Sequence, residues 1–293
     1  MCFNKITLTF LNLILFSYLH SQTTAVFLKF PSNSKMLSLG GTQVATNDGI
    51  SNIMSNPASL NITTKGELIF NGLKVIDDIT YNNLLAGFRT RTGRIGFVVS
   101  QTDSGKIEGR DINRNRTTTF RTTDRLIGMN YTLAIDRNSA FGVNIKYILL
   151  DIADESAGTI AFDAGYQQDN IINGLNIGAA LRNLGGMIRF YKNNEKLPLN
   201  ISIGLSYKIE HNVFVAMNIT RWIYEMKTDF SIGSEYMFVK GIYLRCGYNT
   251  NDRGLKSLKY GIGLNLAGIT LDYALIPFDM VGNIQSITLG VKF

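Results

Sequence analysis

From residue 66 to the end, apolar and polar residues alternate with a period of two, the signature of strands with unlike faces. The last segment shows the pattern plainly: Gln285, Ile287, Leu289, Val291 and Phe293 share one face, and Ser286, Thr288, Gly290 and Lys292 the other. Leu199, Ile201, Ile203, Leu205 and Tyr207 alternate with Asn200, Ser202, Gly204, Ser206 and Lys208, and Phe141, Val143, Ile145, Tyr147 and Leu149 oppose Gly142, Asn144 and Lys146. Read along the chain, the pattern predicts about fourteen strands, near 66–73, 79–89, 94–101, 124–135, 140–150, 158–167, 173–183, 198–208, 212–222, 227–238, 241–249, 257–266, 268–276 and 284–293.

A soluble sandwich and a transmembrane barrel both alternate in this way. Three features favour the barrel. The segments are about nine to twelve residues long, enough to cross a bilayer at a tilt, whereas ordinary strands average about six. The polar face is made of Gly, Ser, Asn and Thr rather than Lys and Glu, which suits a crowded lumen. The last strand ends on an aromatic residue, Phe293. Loop lengths agree. Thr90–Gly93, Asp136–Ser139, Gln168–Ile172, Ile209–His211, Val239–Lys240 and the turn at Ala267 form a short set; Gln101–Thr123, Asp151–Ala157, Asn183–Leu197, Thr250–Lys256 and Pro277–Asn283 form a mostly longer one, with the loop after Trp222 as an exception. Short turns facing the periplasm and long loops facing outward are the asymmetry of bacterial outer-membrane barrels.

Composition supports this reading. Only 17% of residues are charged, and the chain has 28 glycines but 4 prolines; proline cannot donate to a strand ladder. Asp163, Arg182, Asp229, Glu235, Arg245 and Asp272 fall on the small or polar faces. They belong in the lumen, paired or hydrated, because a charge facing lipid costs about 2–4 kcal/mol at mid-depth.

The region before residue 66 has a different texture. Lys5 precedes an apolar run from Ile6 to Leu19, which reads as an export signal over residues 1–21. Cleavage after Ser21 or after Ala25 both fit. Residues 22–65 alternate weakly and are dense in small and turn-forming residues, including Gly40, Gly41, Asp48 and the Asn56-Pro57-Ala58 run. A fourteen-stranded barrel, residues 66–293, encloses more space than its own side chains fill, so this stretch is predicted to fold inside as a hatch.

The stretch from Phe27-Leu28-Lys29 through Gly40-Gly41, Asp48 and Asn56-Pro57-Ala58-Ser59-Leu60 resembles the start of PorV/PorQ family outer-membrane proteins, relatives of the FadL-type fatty-acid transporters. Leu181-Arg182-Asn183-Leu184-Gly185 and the closing run Leu271-Asp272-Tyr273-Ala274 to Phe293 are similar to the family as well; Met54-Ser55 before the Asn-Pro-Ala departs from it. The resemblance implies a fourteen-stranded barrel with an N-terminal hatch in the bacterial outer membrane. It further implies, for some members, an accessory role in type IX secretion, with secretion-system proteins or secreted substrates as partners besides outer-membrane lipid.

Candidate chemistry is sparse. The two histidines are His20, in the export signal, and His211, in a short turn, so no nucleophile–histidine–acid set can be assembled. Of the two cysteines, Cys2 goes with the signal, and Cys246 alternates with Leu244 and Tyr248 as a small wall residue. No CxxC, HExxH or EF-hand pattern occurs, so no metal or cofactor is proposed. Asp151, Asp154 and Glu155 read as a solvated outer loop. The net charge of +7 comes from scattered residues with no nucleic-acid motif. Its densest run, Lys106, Arg110, Arg114 and Arg116 with Arg121 and Arg125, lies in a predicted outer loop, where it could contact lipopolysaccharide phosphates or simply be solvated. Three functions remain: a non-enzymatic accessory of secretion, a FadL-like channel for hydrophobic small molecules, and, disfavoured by the lack of histidine, a barrel enzyme acting on lipid.

Overall fold

The structure is a computed structural model, and it describes residues 23–59, 64–75, 78–190, 193–210, 212–250, 258–278 and 282–293. The predicted export signal, with Cys2 and His20, and the turn residue His211 lie outside the described residues.

Fourteen strands close into one antiparallel barrel: β1 (Gly66–Lys74), β2 (Thr80–Arg89), β3 (Arg94–Asp103), β6 (Thr122–Ala134), β7 (Ser139–Ile152), β8 (Glu155–Ile172), β9 (Leu175–Gly185), β12 (Asn200–Ile209), β13 (Val213–Trp222), β14 (Lys227–Val239), β15 (Ile242–Asn249), β16 (Leu258–Leu266), β17 (Ile269–Phe278) and β18 (Gly282–Lys292). β1 pairs with β18 to complete the ring, Phe70 opposite Leu289, so no strand of the ring is left with an open edge. The alternation read from the sequence sets the two faces. Phe70, Phe97, Ile127, Ile145, Ile203, Phe230 and Leu289 point outward, while their neighbours Asn71, Asn130, Asn144, Ser202 and Thr288 are buried inside. A continuous apolar belt of this kind is at rest only against acyl chains. Cys246 sits on this outer face, reduced and exposed.

Most strand bounds agree with the sequence reading to within two or three residues. One rim is joined by tight turns, including Asn173–Gly174, Lys240–Gly241 and Ala267–Gly268. Ala267 and Gly268 both take positive φ, at 50° and 85°, the backbone twist that a two-residue hairpin turn demands. Two corrections concern the other rim. The predicted loops 101–123 and 183–197 contain hairpins of their own, β4 (Ile107–Arg110) with β5 (Arg116–Phe120), and β10 (Met187–Phe190) with β11 (Asn193–Lys196). The predicted long loop Asp151–Ala157 is a two-residue turn, because β7 runs to Ile152 and β8 starts at Glu155. Strands that continue beyond the bilayer need no greasy face there, so the alternation that marks them in sequence fades while the pairing persists.

Candidate functional site

Residues 23–59 lie inside the barrel. They form a helix, α1 (Ser34–Ser38), three short 3-10 turns at Val26–Lys29, Gly49–Asn52 and Pro57–Ser59, and irregular chain between them. Asn33 caps α1, its side chain accepting from the Met36 N–H at 2.7 Å. A chain with so little regular structure leaves many backbone carbonyls without partners, and burying those is costly unless something donates to them. The barrel wall supplies the donors. Asn218 donates to Gly41 O at 2.7 Å, Ser206 to Ala45 O at 2.9 Å, Asn144 to Ile53 O at 2.8 Å, and Asn83 to Ser32 O at 3.0 Å. Thr132 and Asn130 both donate to Pro57 O, at 2.7 and 3.1 Å.

The six residues singled out in the sequence, Gly40, Gly41, Asp48, Asn56, Pro57 and Ala58, all belong to this luminal segment, in distinct roles. Gly40 and Gly41 end α1 with φ of 71° and 88°, and a β-carbon on Gly40 would meet the Tyr248 carbonyl oxygen at 2.6 Å. Asn56 donates to Val44 O at 2.7 Å and to Tyr166 O at 3.0 Å, and its Oδ1 accepts from Ala58 N. Asp48 accepts from Lys35 at 2.9 Å, and Lys35 also lies 3.5 Å from Glu235 of β14.

Close packing against the wall is permitted by luminal glycines. Gly142, Gly165, Gly178, Gly204, Gly233 and Gly247 each hold backbone or side-chain atoms of the segment where a β-carbon would intrude. Several are direct partners across strands: Gly142 with Gly165, Gly178 with Gly204, and Gly233 with Gly247. They form a recess round the lumen into which Leu39, Gly40, Val44, Asn56 and Pro57 settle. Besides these polar contacts, Phe27, Ile50 and Ile53 pack in an apolar cluster with Leu85, Val98, Leu126 and Ile148 of the wall.

Buried charges have ionic or hydrogen-bonding partners. Lys146 meets Asp163 at 2.6 Å with almost no solvent access, and it also donates to Asn183 at 2.6 Å. Arg245 spans Glu235 and Asp272, both at 2.6 Å. Arg182 donates to Asn200 at 3.0 Å and Asp229 accepts from the Trp222 indole N–H. The expected luminal placement of Asp163, Arg182, Asp229, Glu235, Arg245 and Asp272 therefore holds. Lys146, by contrast, stood out in the sequence only as one member of a polar face.

The segment does not fill the lumen. Between it and the wall, toward the long-loop rim, is a cavity of about 260 Å³. Its floor is Met36, Leu37, Gly40, Gly41 and Met54, and its roof is Leu28, Lys29, Phe30 and Pro31. One side is apolar, formed by Leu73, Val75, Tyr81, Ile276 and Ile284; the other is polar, formed by Arg182, Thr220, Asp229, Ser231, Asn249 and Lys259, with Trp222 beside them. The roof is held by Glu225, which accepts from Lys29 and, at 2.6 Å, from Thr23. A second cavity, of about 220 Å³, lies nearer the short-turn rim on the other side of α1 and contains the Lys35, Asp48, Glu235, Arg245 and Asp272 charges. Nothing in the sequence marked the first cavity, since its sides come from nine strands and its floor and roof from the luminal segment.

The basic residues Lys106, Arg110, Arg114 and Arg116 sit on or beside the β4–β5 hairpin, away from these cavities. Arg110 and Arg116 share Glu108, at 3.6 and 3.3 Å, and Ile112 at the hairpin's end is fully exposed. The acidic Asp151 is engaged by Arg125 at 2.8 Å and Ser156 at 2.5 Å.

These features define a transmembrane barrel with an occupied lumen and a partly open cavity beside the luminal segment, FadL-like in fold. Among solved structures, the Pseudomonas putida toluene transporter TodX superposes with a TM-score of 0.68 at 12% identity, over 89% of this chain and 98% of that one. The Ralstonia pickettii toluene transporter TbuX gives 0.65 at 14% identity, over 89% and 98%. A Pseudomonas aeruginosa FadL homologue gives 0.59 at 10%, again over 89% and 98%. At these identities the likeness establishes a shared fold. No protein-family model matches the chain, and no curated protein matches it in sequence.

Proposed function

We propose that this protein is a channel of the bacterial outer membrane that takes up hydrophobic small molecules, with residues 23–59 as the hatch that closes it. The short-turn rim then faces the periplasm and the long-loop rim the exterior. The observation that carries the reading is the cavity of about 260 Å³ on the outward side of the luminal segment. A cavity of roughly 150 Å³ suffices for benzene when lined by apolar side chains, and here Leu28, Phe30, Met36, Leu37, Met54, Leu73 and Ile276 line much of the space. Pockets that bind small molecules have this character: mostly apolar, with a few placed polar groups. The solved toluene transporters of the same fold point the same way.

A secretion accessory role, expected from the PorV/PorQ resemblance, rests on the sequence motifs alone, and the cavity favours the channel instead. Such a channel needs no catalytic residues, in keeping with the lack of a nucleophile–histidine set in the sequence.

Trp222, the chain's one tryptophan, lines the cavity, so it reports occupancy directly. Titration of the protein in nanodiscs with ethylbenzene is expected to change Trp222 fluorescence saturably, and proteoliposomes are expected to take up the same compound faster than empty ones. Neither effect in the folded barrel would overturn the channel reading.

A further inference from the structure

The polar side of the cavity carries chemistry that a channel for plain hydrocarbons does not need. Asp229 is 6% exposed and lines the cavity from β14. One carboxylate oxygen, Oδ2, accepts from the Trp222 indole; the other accepts no hydrogen bond among the described residues. Two residues along the same strand face, Ser231 accepts from Asn249 at 2.6 Å, and its own hydroxyl proton is given to no acceptor among the described residues. Lys29, which lies 5.1 Å over the Trp222 ring, is already engaged, since it pairs with Glu225. An acceptor and a donor thus stand side by side, facing apolar Leu73, Tyr81 and Ile276 across the cavity.

We infer that the cavity selects apolar molecules bearing a hydroxyl group, which donates to Asp229 and accepts from Ser231, over hydrocarbons of the same shape. The inference rests on the channel reading and narrows its ligand. A bare hydrocarbon in this place would leave both polar groups desolvated and unpartnered. A hydroxyl satisfies both. A ketone satisfies Ser231 alone and sets its carbonyl oxygen against the carboxylate.

Three compounds with one carbon skeleton separate these cases: 1-phenylethanol, acetophenone and ethylbenzene. Affinities are measured by calorimetry on the protein in nanodiscs at neutral pH, with empty nanodiscs as the blank and Trp222 fluorescence to place the ligand. The alcohol is expected to bind about tenfold more tightly than either of the others, the value of one hydrogen bond to a charged group. Asp229→Asn gives the sharper test. Its side-chain oxygen must still accept from Trp222, so the amide N–H₂ turns to the cavity and the acceptor becomes a donor. In that variant the alcohol's advantage over the ketone should vanish or reverse, and ethylbenzene, which no longer desolvates a carboxylate, should bind no more weakly than before. Ser231→Ala should weaken the alcohol and the ketone together and spare the hydrocarbon. Equal binding of all three compounds to the unaltered protein would overturn the inference and leave the channel reading standing. Absence of binding by any of them would remove both. Retention of the alcohol preference in Asp229→Asn, in a barrel that still shifts on heating in gel electrophoresis, would also overturn it.

Discussion

The carbonyl of Pro57 lies against the α-carbon of Gly142 so closely that a β-carbon there would overlap both its carbon and its oxygen. The same carbonyl oxygen accepts from Asn130 and Thr132, one strand over. The wall thus has a recess and two donors aimed at one peptide of the luminal segment, and the segment's position depends on both.

Gly142→Ala is expected to push the Pro57 turn out of its recess while leaving the barrel closed. Overpacking of this kind costs about 1–3 kcal/mol, and here it falls on the segment's seat, since the wall ladder between β7 and β8 is unaffected. Planar-bilayer recordings should show more frequent or larger openings than the unaltered protein gives, with normal heat-modifiable migration on gels. Conductance equal to that of the parent would mean that the recess is not what holds the segment.

Lys146 and Asp163 should behave as a unit. Removing one partner, in Lys146→Met or Asp163→Leu, leaves an uncompensated buried charge and is expected to cost about 3–5 kcal/mol. The double substitution should recover the part due to the uncompensated charge, but not the part due to the hydrogen bonds that Asp163 accepts from Asn144 and the Asn183 N–H and that Lys146 gives to Asn183. Urea unfolding of the two single variants and the double variant, run as a cycle, reads the coupling; additive losses would contradict it.

The charge pair inside the segment predicts a pH window. Burial pushes the Asp48 carboxyl upward, but the Lys35 ammonium, with help from Arg245 and the Thr46 hydroxyl, holds the group below its ordinary 3.8. Burial pulls Lys35 downward, and the Asp48 and Glu235 carboxylates outweigh that, raising it above 10.5. Asp48 therefore contributes stability that is complete above pH 3.8 and lost as the pH falls through its depressed value. Lys35 contributes stability that is complete below pH 10.5 and lost as the pH rises through its raised one. Channel opening should accordingly be least between these limits and rise on the acid side. Lys35→Met should flatten the acid limb; an unchanged acid response in that variant would rule the pair out as its cause.

The β4–β5 hairpin is proposed to meet anionic groups of the outer leaflet through Lys106, Arg110, Arg114 and Arg116. Replacing all four by serine is expected to leave barrel formation unchanged and to reduce retention on immobilised lipopolysaccharide severalfold at low salt. The difference should disappear near about 0.5 M salt, where such charges are screened within a few ångströms. Equal retention at low salt would return these residues to the role of a solvated loop.

The period-two pattern by itself determined where the strands fall, which residues share a face, and that one face is apolar and the other small; segment length and loop asymmetry were needed to tell a barrel from a sandwich. That is a local property, because successive side chains on a strand point to opposite sides and each side has one solvent. The luminal placement of Asp163, Arg245 and Asp272 followed from the same rule, and Asn56-Pro57-Ala58 was visible as a break in the pattern. Only the tertiary structure decided what the small face is for. Gly142, Gly178 and Gly233 are far apart in the chain and come level with one another only through strand register, and nothing in their neighbourhoods names Pro57, Val44 or Leu39 as what they receive. The cavity likewise joins Leu28, Tyr81, Trp222, Asp229 and Ile276 across most of the sequence. A void is bounded by side chains that need not be near one another in the chain, so it leaves no periodic trace, and it exists only once the ring has closed round the segment.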